Sequence, residues 1–276
     1  MQESPTPQDE HAPPRSSPTD EPLALMRDLR ARCEWDRAQT HQSLRPYLIE
    51  EAYEVDDAIR AGDDRLLREE LGDLLLQVLF HSVVAEERGA FSFDEVARGF
   101  VAKMKARHPH LYGDGERVPW EQQKARKRDS IVDGLPAELP ALHRAFRLQD
   151  RAAGVGFDWP DVAGPLEKVE EELQEVRDEL ASAPTMRDPH GAPVYDARHD
   201  RLEDELGDLL FAAVNLCRKA GVHPAVALDR ANVKFATRFH AIERLAKERG
   251  LDVKTAGLEK LDALWDEVKM EEGTRD

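Results

Sequence analysis

The heptad E-E-L-G-D-L-L at Glu69–Leu75 returns almost unchanged as D-E-L-G-D-L-L at Asp204–Leu210. Each copy lies inside a leucine pattern of helical period. In the first it runs through Leu66, Leu67, Leu71, Leu74, Leu75, Val78 and Leu79. In the second it runs through Leu202, Leu206, Leu209, Leu210, Ala213, Val214 and Cys217. Apolar residues at this spacing line one side of an α-helix; a strand would need them at every second position. Alternating apolar and polar runs are nearly absent from the rest of the chain. The expected fold is therefore all-α, built from two tandem copies of one helical-bundle module.

The repeat is longer than the heptad. Upstream of the first copy, I-E-E-A-Y-E-V carries Glu51 and Glu54; upstream of the second, V-E-E-E-L-Q-E-V carries Glu171, Glu172 and Glu175. Downstream, K-M-K-A-R with Lys103 and Arg107 is echoed by K-F-A-T-R with Lys234 and Arg238. Both halves thus keep the order E-x-x-E, E-x-x-D, K-x-x-x-R. Three motifs in a shared order point to duplication rather than chance. Turn-forming residues at Gly62–Asp64, Gly113–Gly115, Asp133–Pro136, Trp159–Pro160 and Gly164–Pro165 punctuate the helices. The stretch from Ala183 to Arg198 reads as a loop. The expected organisation is a disordered tail over 1–21, rich in proline, serine and charge, then modules over 22–135 and 136–276.

Charge and cysteine content narrow the function. The 276 residues carry a formal net charge of -17, which argues against sequence-blind binding to nucleic acid or anionic lipid, since both need a basic face. A local phosphate site remains compatible if cations offset the acids. Two cysteines, Cys33 and Cys217, make no disulfide framework and no paired metal spacing, so a cytoplasmic setting is expected. No apolar run is long enough to span a bilayer, and no membrane partner is expected.

The acids themselves suggest the chemistry. Residues three apart on a helix share a face, so Glu51 and Glu54 point together, as do Glu70 and Asp73, Glu172 and Glu175, and Glu205 and Asp208. One such pair on a solvated surface costs only roughly 0.2–0.5 kcal/mol and needs no explanation. Here, however, Glu70 and Glu205 border the leucine stripe, and a second acidic helix precedes each. Four carboxylates converging from two helices stay ionised only with a cation among them. Oxygen-only ligands select a hard ion, Mg²⁺ with Mn²⁺ as substitute. Di-iron bundles use Glu-x-x-His, and that pattern occurs nowhere in this chain. Mg²⁺ keeps positions open for water and phosphates. Lys234 and Arg238, one turn apart, offer the matching cations, although they also interleave with apolar Phe235 and Phe239. Metal-activated water attacking a phosphoryl group follows as the expected reaction.

These motifs resemble the MazG family of nucleoside triphosphate pyrophosphohydrolases. The likeness includes W-D-R-A-Q-T-H-Q-S-L at Trp35–Leu44, R-H-P-H-L-Y at Arg107–Tyr112, V-G-F-D-W at Val155–Trp159 and N-V-K-F-A-T-R-F at Asn232–Phe239. It covers nearly everything from Leu23 to about Met270. The resemblance implies a homodimer of all-α modules converting a nucleoside triphosphate and water to the monophosphate and pyrophosphate with Mg²⁺. It implies Glu172, Glu175, Glu205 and Asp208 as metal ligands, Lys234 and Arg238 on the phosphates, and Asn232 in support. Glu171 joins the expected substrate-facing residues. Glu172 and Glu175 are both candidates for the general base. Glu51, Glu54, Glu70 and Asp73, with Lys103 and Arg107, are the first-half counterparts. There Val101 stands where the second half has Asn232, which favours the second module as the main site without setting the first aside. The chain has C-E-W-D at Cys33–Asp36 where relatives usually have C-P-W-D, a change to a turn.

Other features are weaker. His108 and His110 flank a proline and share no helical face, so packing or hydrogen bonding suits them better than metal binding. Trp35 and Trp159 could stack on a base or anchor a core; Trp159 is kept among the substrate-facing residues. The run K-A-R-K-R at Lys124–Arg128 reads as a solvated face, with a substrate-facing role open. Two alternatives stand beside the main reading. One is a specialised relative acting on dUTP, dCTP, phosphoribosyl-ATP or a modified nucleotide. The other is a non-catalytic helical partner protein whose acids only solubilise a surface.

Overall fold

The computed structural model describes residues 20–115, 130–182 and 197–273, and the chain divides into two compact units, Met1–Arg117 and Val118–Asp276. The described residues form eleven helices and no strand. In the first unit these are α1 (Asp20–Arg32), α2 (Glu34–Ala38), α3 (His41–Ala61), α4 (Asp64–Glu87), α5 (Phe93–Arg107) and α6 (Pro109–Tyr112). In the second they are α7 (Ala141–Gly154), α8 (Ala163–Ser182), α9 (Ala197–Lys219), α10 (Pro224–Glu248) and α11 (Leu258–Gly273).

Local chemistry sets the boundaries of the central pair in the first unit. Thr40 caps α3 with Ser43 in a reciprocal capping box, and Gly62 ends it in the left-handed region at φ 65°. A side chain rarely adopts that conformation, so the expected break at Gly62 has a steric reason. Asp63 then caps α4 through the amides of Arg65 and Leu66. So tight a turn folds α3 and α4 back on one another along their length. Ser92 and Glu95 form a second capping box at the start of α5.

The first core gathers Leu23 and Met26 of α1, Leu44 of α3, and Leu79, Phe80, Val83 and Val84 of α4. Each fully buried side chain of this size contributes about 1.5–3 kcal/mol. Arg27 and Arg30 reinforce the α1–α4 contact by pairing with Glu86 and Glu87. The second unit repeats the plan: α8 packs along α9, α7 lies on α9, and α10 follows as α5 does in the first unit. Arg201 near the start of α9 pairs with Glu179 near the end of α8 at 3.2 Å, which sets those two helices antiparallel. A further core joins Ile242 and Ala246 of α10 to Leu264 and Val268 of α11.

Several expectations meet a different outcome. The leucine stripe is buried only at its C-terminal end: Leu79 lies in the core, whereas Leu71, Leu75 and Val78 are exposed, as are Leu206 and Leu210 in the second copy. Gly164 and Pro165 do not interrupt a helix but lie in the first turn of α8, where a missing proline N–H costs nothing. The turn at 130–134, expected at the end of the first module, is held by the second unit. Arg151 of α7 donates to the carbonyls of Ile131 and Asp133 at 3.1 and 2.6 Å. Residues 1–19, the run Lys124–Arg128 and residues 183–196 lie outside the described residues; Asp20 and Glu21, expected in the tail, and Ala197 and Arg198, expected in a loop, are helical.

Candidate metal and phosphate site

The antiparallel pairing of α8 and α9 brings Glu172, Glu205 and Asp208 together, each offering a carboxylate oxygen within 4.8 Å of the others. Glu172 is buried, Glu205 half-buried and Asp208 exposed, so the cluster opens outward from a closed base. Oε2 of Glu172 is buried without a hydrogen-bond partner. A buried anionic oxygen left unpaired is costly, and a cation among these three groups would relieve it. The donor set, all carboxylate oxygen, fits a hard divalent ion.

Glu175 stands beside the trio. Its carboxyl is raised above its ordinary range, first by a hydrogen bond to Glu172, then by burial and by the charges of Glu172 and Glu205. Lys168, absent from the sequence-based site, reaches Glu171 at 3.0 Å and Glu172 at 2.5 Å. These two contacts push its ammonium well above the usual lysine value. Its signal in the sequence was the i, i+4 spacing to Glu172, an ordinary surface pattern until Glu172 proves buried.

The first unit holds the same arrangement on α3 and α4, with Glu51, Glu70 and Asp73 grouped within 4.8 Å. Glu54 lies outside that trio, but its charge acts on both Glu51 and Glu70. Burial raises the Glu51 carboxyl, followed by the charges of Asp73 and Glu54; burial and then Glu54 and Asp73 raise Glu70. Buried Gln77 donates to Glu51. No lysine matches Lys168: with Glu51 set against Glu172, the equivalent position is Tyr47.

The basic motif sits differently from the acids. Arg238 of α10 donates to Glu272 of α11 through Nε and Nη2 at 2.9 and 2.8 Å, and stacks over Trp265 at 5.6 Å. The charge of Lys234 also acts on Glu272. Both cations thus engage α11, and Asn232 and Lys234 lie exposed on the same helix. On α5, Lys103 is exposed and Arg107 half-buried. His108 accepts the hydrogen-bonding role expected of it, with Nδ1 2.8 Å from the carbonyl of Met104.

Trp159 is fixed by its surroundings. Its ring lies against Gly164, where an added Cβ would come within 2.4 Å of Cε3. The preceding Asp158 pairs with Arg218 and, at 3.1 Å, with Lys219. The guanidinium of Arg218 holds the Asp158 carboxyl below the usual range. V-G-F-D-W is legible in the sequence, but its partners on α9 are not, because the 60-residue separation hides them.

The profile of the MazG nucleotide pyrophosphohydrolase domain matches residues 39–112, which include the first carboxylate cluster. Over nearly the whole chain, the sequence is 43% identical across 259 residues to the nucleoside triphosphate pyrophosphohydrolase/pyrophosphatase MazG of Thermotoga maritima. That alignment covers 91% of this chain and 95% of the relative. The nucleoside triphosphate pyrophosphohydrolase of Escherichia coli K12 is 40% identical across 262 residues, with the same two coverages, 91% and 95%. The uncharacterised protein YabN of Bacillus subtilis is 41% identical across 259 residues, covering 89% of this chain and 50% of YabN.

Proposed function

This chain belongs to the MazG family of nucleotide pyrophosphohydrolases, and from that premise we propose that it hydrolyses nucleoside triphosphates to monophosphate and pyrophosphate, mainly in its second unit. The observation that carries this reading is the trio Glu172, Glu205 and Asp208 with the unpartnered oxygen of Glu172 at its base. These residues would hold Mg²⁺, or Mn²⁺ in its place. The ion, when bound, supplies a Lewis acid for the α-phosphoryl group and lowers the pKa of attacking water.

The chain's own groups do the rest. Glu172 or Glu175 would take the proton from water. Lys168 keeps positive charge beside the acids, while Glu171 shares it. On α10, exposed Lys234 and its neighbour Asn232 complete the proposed phosphate-binding set. Arg238 joins it by exchanging Glu272 for a phosphate oxygen. Trp159 faces the nucleoside. In the first unit Glu51, Glu54, Glu70 and Asp73 would hold a similar ion, with Lys103 and Arg107 as the cations. The second unit is favoured because the first has Tyr47 and Val101 where Lys168 and Asn232 stand.

Each tandem module would pair with a second copy of the chain. Exposed Leu71, Leu75, Leu206 and Leu210 support a homodimer, since apolar surface in such stripes gains by burial. Among the described residues no helix is long and apolar enough to cross a membrane; the substrate proposed is a nucleotide of the cytoplasm. The test is a panel of canonical and modified triphosphates with Mg²⁺, the products separated. Monophosphate with pyrophosphate is expected. Diphosphate with phosphate, or no turnover and no thermal shift with Mg²⁺ and nucleotide, would refute it. Turnover confined to dUTP, dCTP or a modified nucleotide would move the reading to a specialised relative.

A further inference from the structure

Two neighbouring cavities of the second unit share a wall. The smaller, about 360 Å³, is lined by Lys168, Glu172, Asp208, Phe211, Ala212 and Asn215. The larger, about 580 Å³, takes in Phe157, Trp159, Phe211, Asn215 and Arg218. Phe211 and Asn215 border both. A ligand with its anionic tail among the carboxylates and a flat, apolar head among the aromatic rings must pass Asn215.

The orientation of the Asn215 amide is decided by its partner. Arg218 donates from Nε and Nη2 to Oδ1 at 3.1 and 2.8 Å. Arginine has no acceptor, so the oxygen must be the end turned toward it. Arg218 is itself anchored by Asp158, with Nη1 3.2 Å from Oδ2. The amide NH₂ is then the free end at the junction of the cavities, and its two hydrogens are satisfied only by acceptors.

The first unit offers a contrast. With Asp73 set against Asp208, Phe80, Val83 and Val84 occupy the positions of Asn215, Arg218 and Lys219. All three are buried in the core with Leu23, Met26 and Leu44. The first unit therefore keeps the carboxylates but fills with apolar packing the place where the second unit sets an oriented donor.

We propose that Asn215 is a specificity-determining residue that donates to a hydroxyl oxygen of the sugar, with the base seated in the larger cavity. The sugar is the part of a nucleotide that links tail to ring, and the junction is where Asn215 stands. This rests on the pyrophosphohydrolase reading above. Asn215→Asp tests it, because aspartate still accepts from Arg218 but has no hydrogen to donate.

The full-length protein and the variant are assayed with Mg²⁺ on ATP and on its dideoxy analogue, which lacks both ribose hydroxyls. The parent should favour ATP roughly tenfold in kcat/KM, the size of one net hydrogen bond, and the variant should bring that ratio near one, mainly through KM. If the variant loses turnover, calorimetric binding of AMP and dideoxy-AMP gives the same comparison. An unchanged ratio in an active variant overturns the proposal and leaves the pyrophosphohydrolase reading intact. So does a parent that hydrolyses both analogues equally, or a variant that alters only the CTP-to-UTP ratio. A parent that hydrolyses no triphosphate overturns both.

Discussion

Replacing Glu205 with glutamine should stabilise the metal-free protein while destroying its activity. Glu205 acts on Glu175 and, more closely, on Glu172 and Asp208, whose ligand oxygens lie within 4.8 Å of its own. At that upper limit of separation each like-charge pair costs at least about 0.9 kcal/mol at the dielectric constant of water and about 3.5 kcal/mol at an effective value near 20. Glutamine removes both pairs while keeping the shape. Lys168 and dissolved salt offset part of the repulsion, so the net gain should be roughly 1–2 kcal/mol. For a unit of this size that is about 2–8 °C in the second-unit melting transition. Calorimetry in chelator should show Glu205→Gln melting above the parent. With Mg²⁺ the order should reverse, because the parent binds the ion and the variant has lost a charged ligand. Triphosphate turnover should vanish in the variant. A variant that melts below the parent in chelator, or one that still turns over, would refute the claim that these acids are held together against their mutual repulsion to receive a cation.

The environment of Trp159 gives two more expectations. Gly164→Ala places a Cβ 2.4 Å from Cε3 of the indole, so the ring must shift at a cost of roughly 1–3 kcal/mol. The KM for triphosphate should rise severalfold while kcat holds, and an unchanged KM would show that Trp159 does not contact substrate. Asp158 titrates below its ordinary value of 3.8 because of Arg218. Its folded value is depressed, so the stability it contributes is present above 3.8 and is lost as pH falls through the folded value. At neutral pH Asp158→Asn should cost about 1–3 kcal/mol, and the gap in melting temperature from the parent should close in acid. A gap that persists at low pH would mean the charge is not what Arg218 binds.

Helical class, duplication and the carboxylate motifs are all legible in the sequence because they depend on spacing within single helices. A period near 3.6 puts Glu205 and Asp208 on one face whatever surrounds them, and the turn at Gly62–Asp63 needs only local backbone preference. What lies between helices has no such local code. That Glu172 is buried with an unpaired oxygen, that Lys168 answers it, and that Arg238 is taken up by Glu272 and Trp265 all follow from which helices pack together. The clamp from Asp158 to Arg218 spans 60 positions and becomes visible only when α9 passes under the Trp159 loop. Even the leucine stripe, plain as a pattern, does not say which of its residues face the core: Leu79 is buried and Leu75 is not. Periodicity specifies a face; only the neighbour that covers it, or fails to, decides whether that face becomes core, site or contact surface.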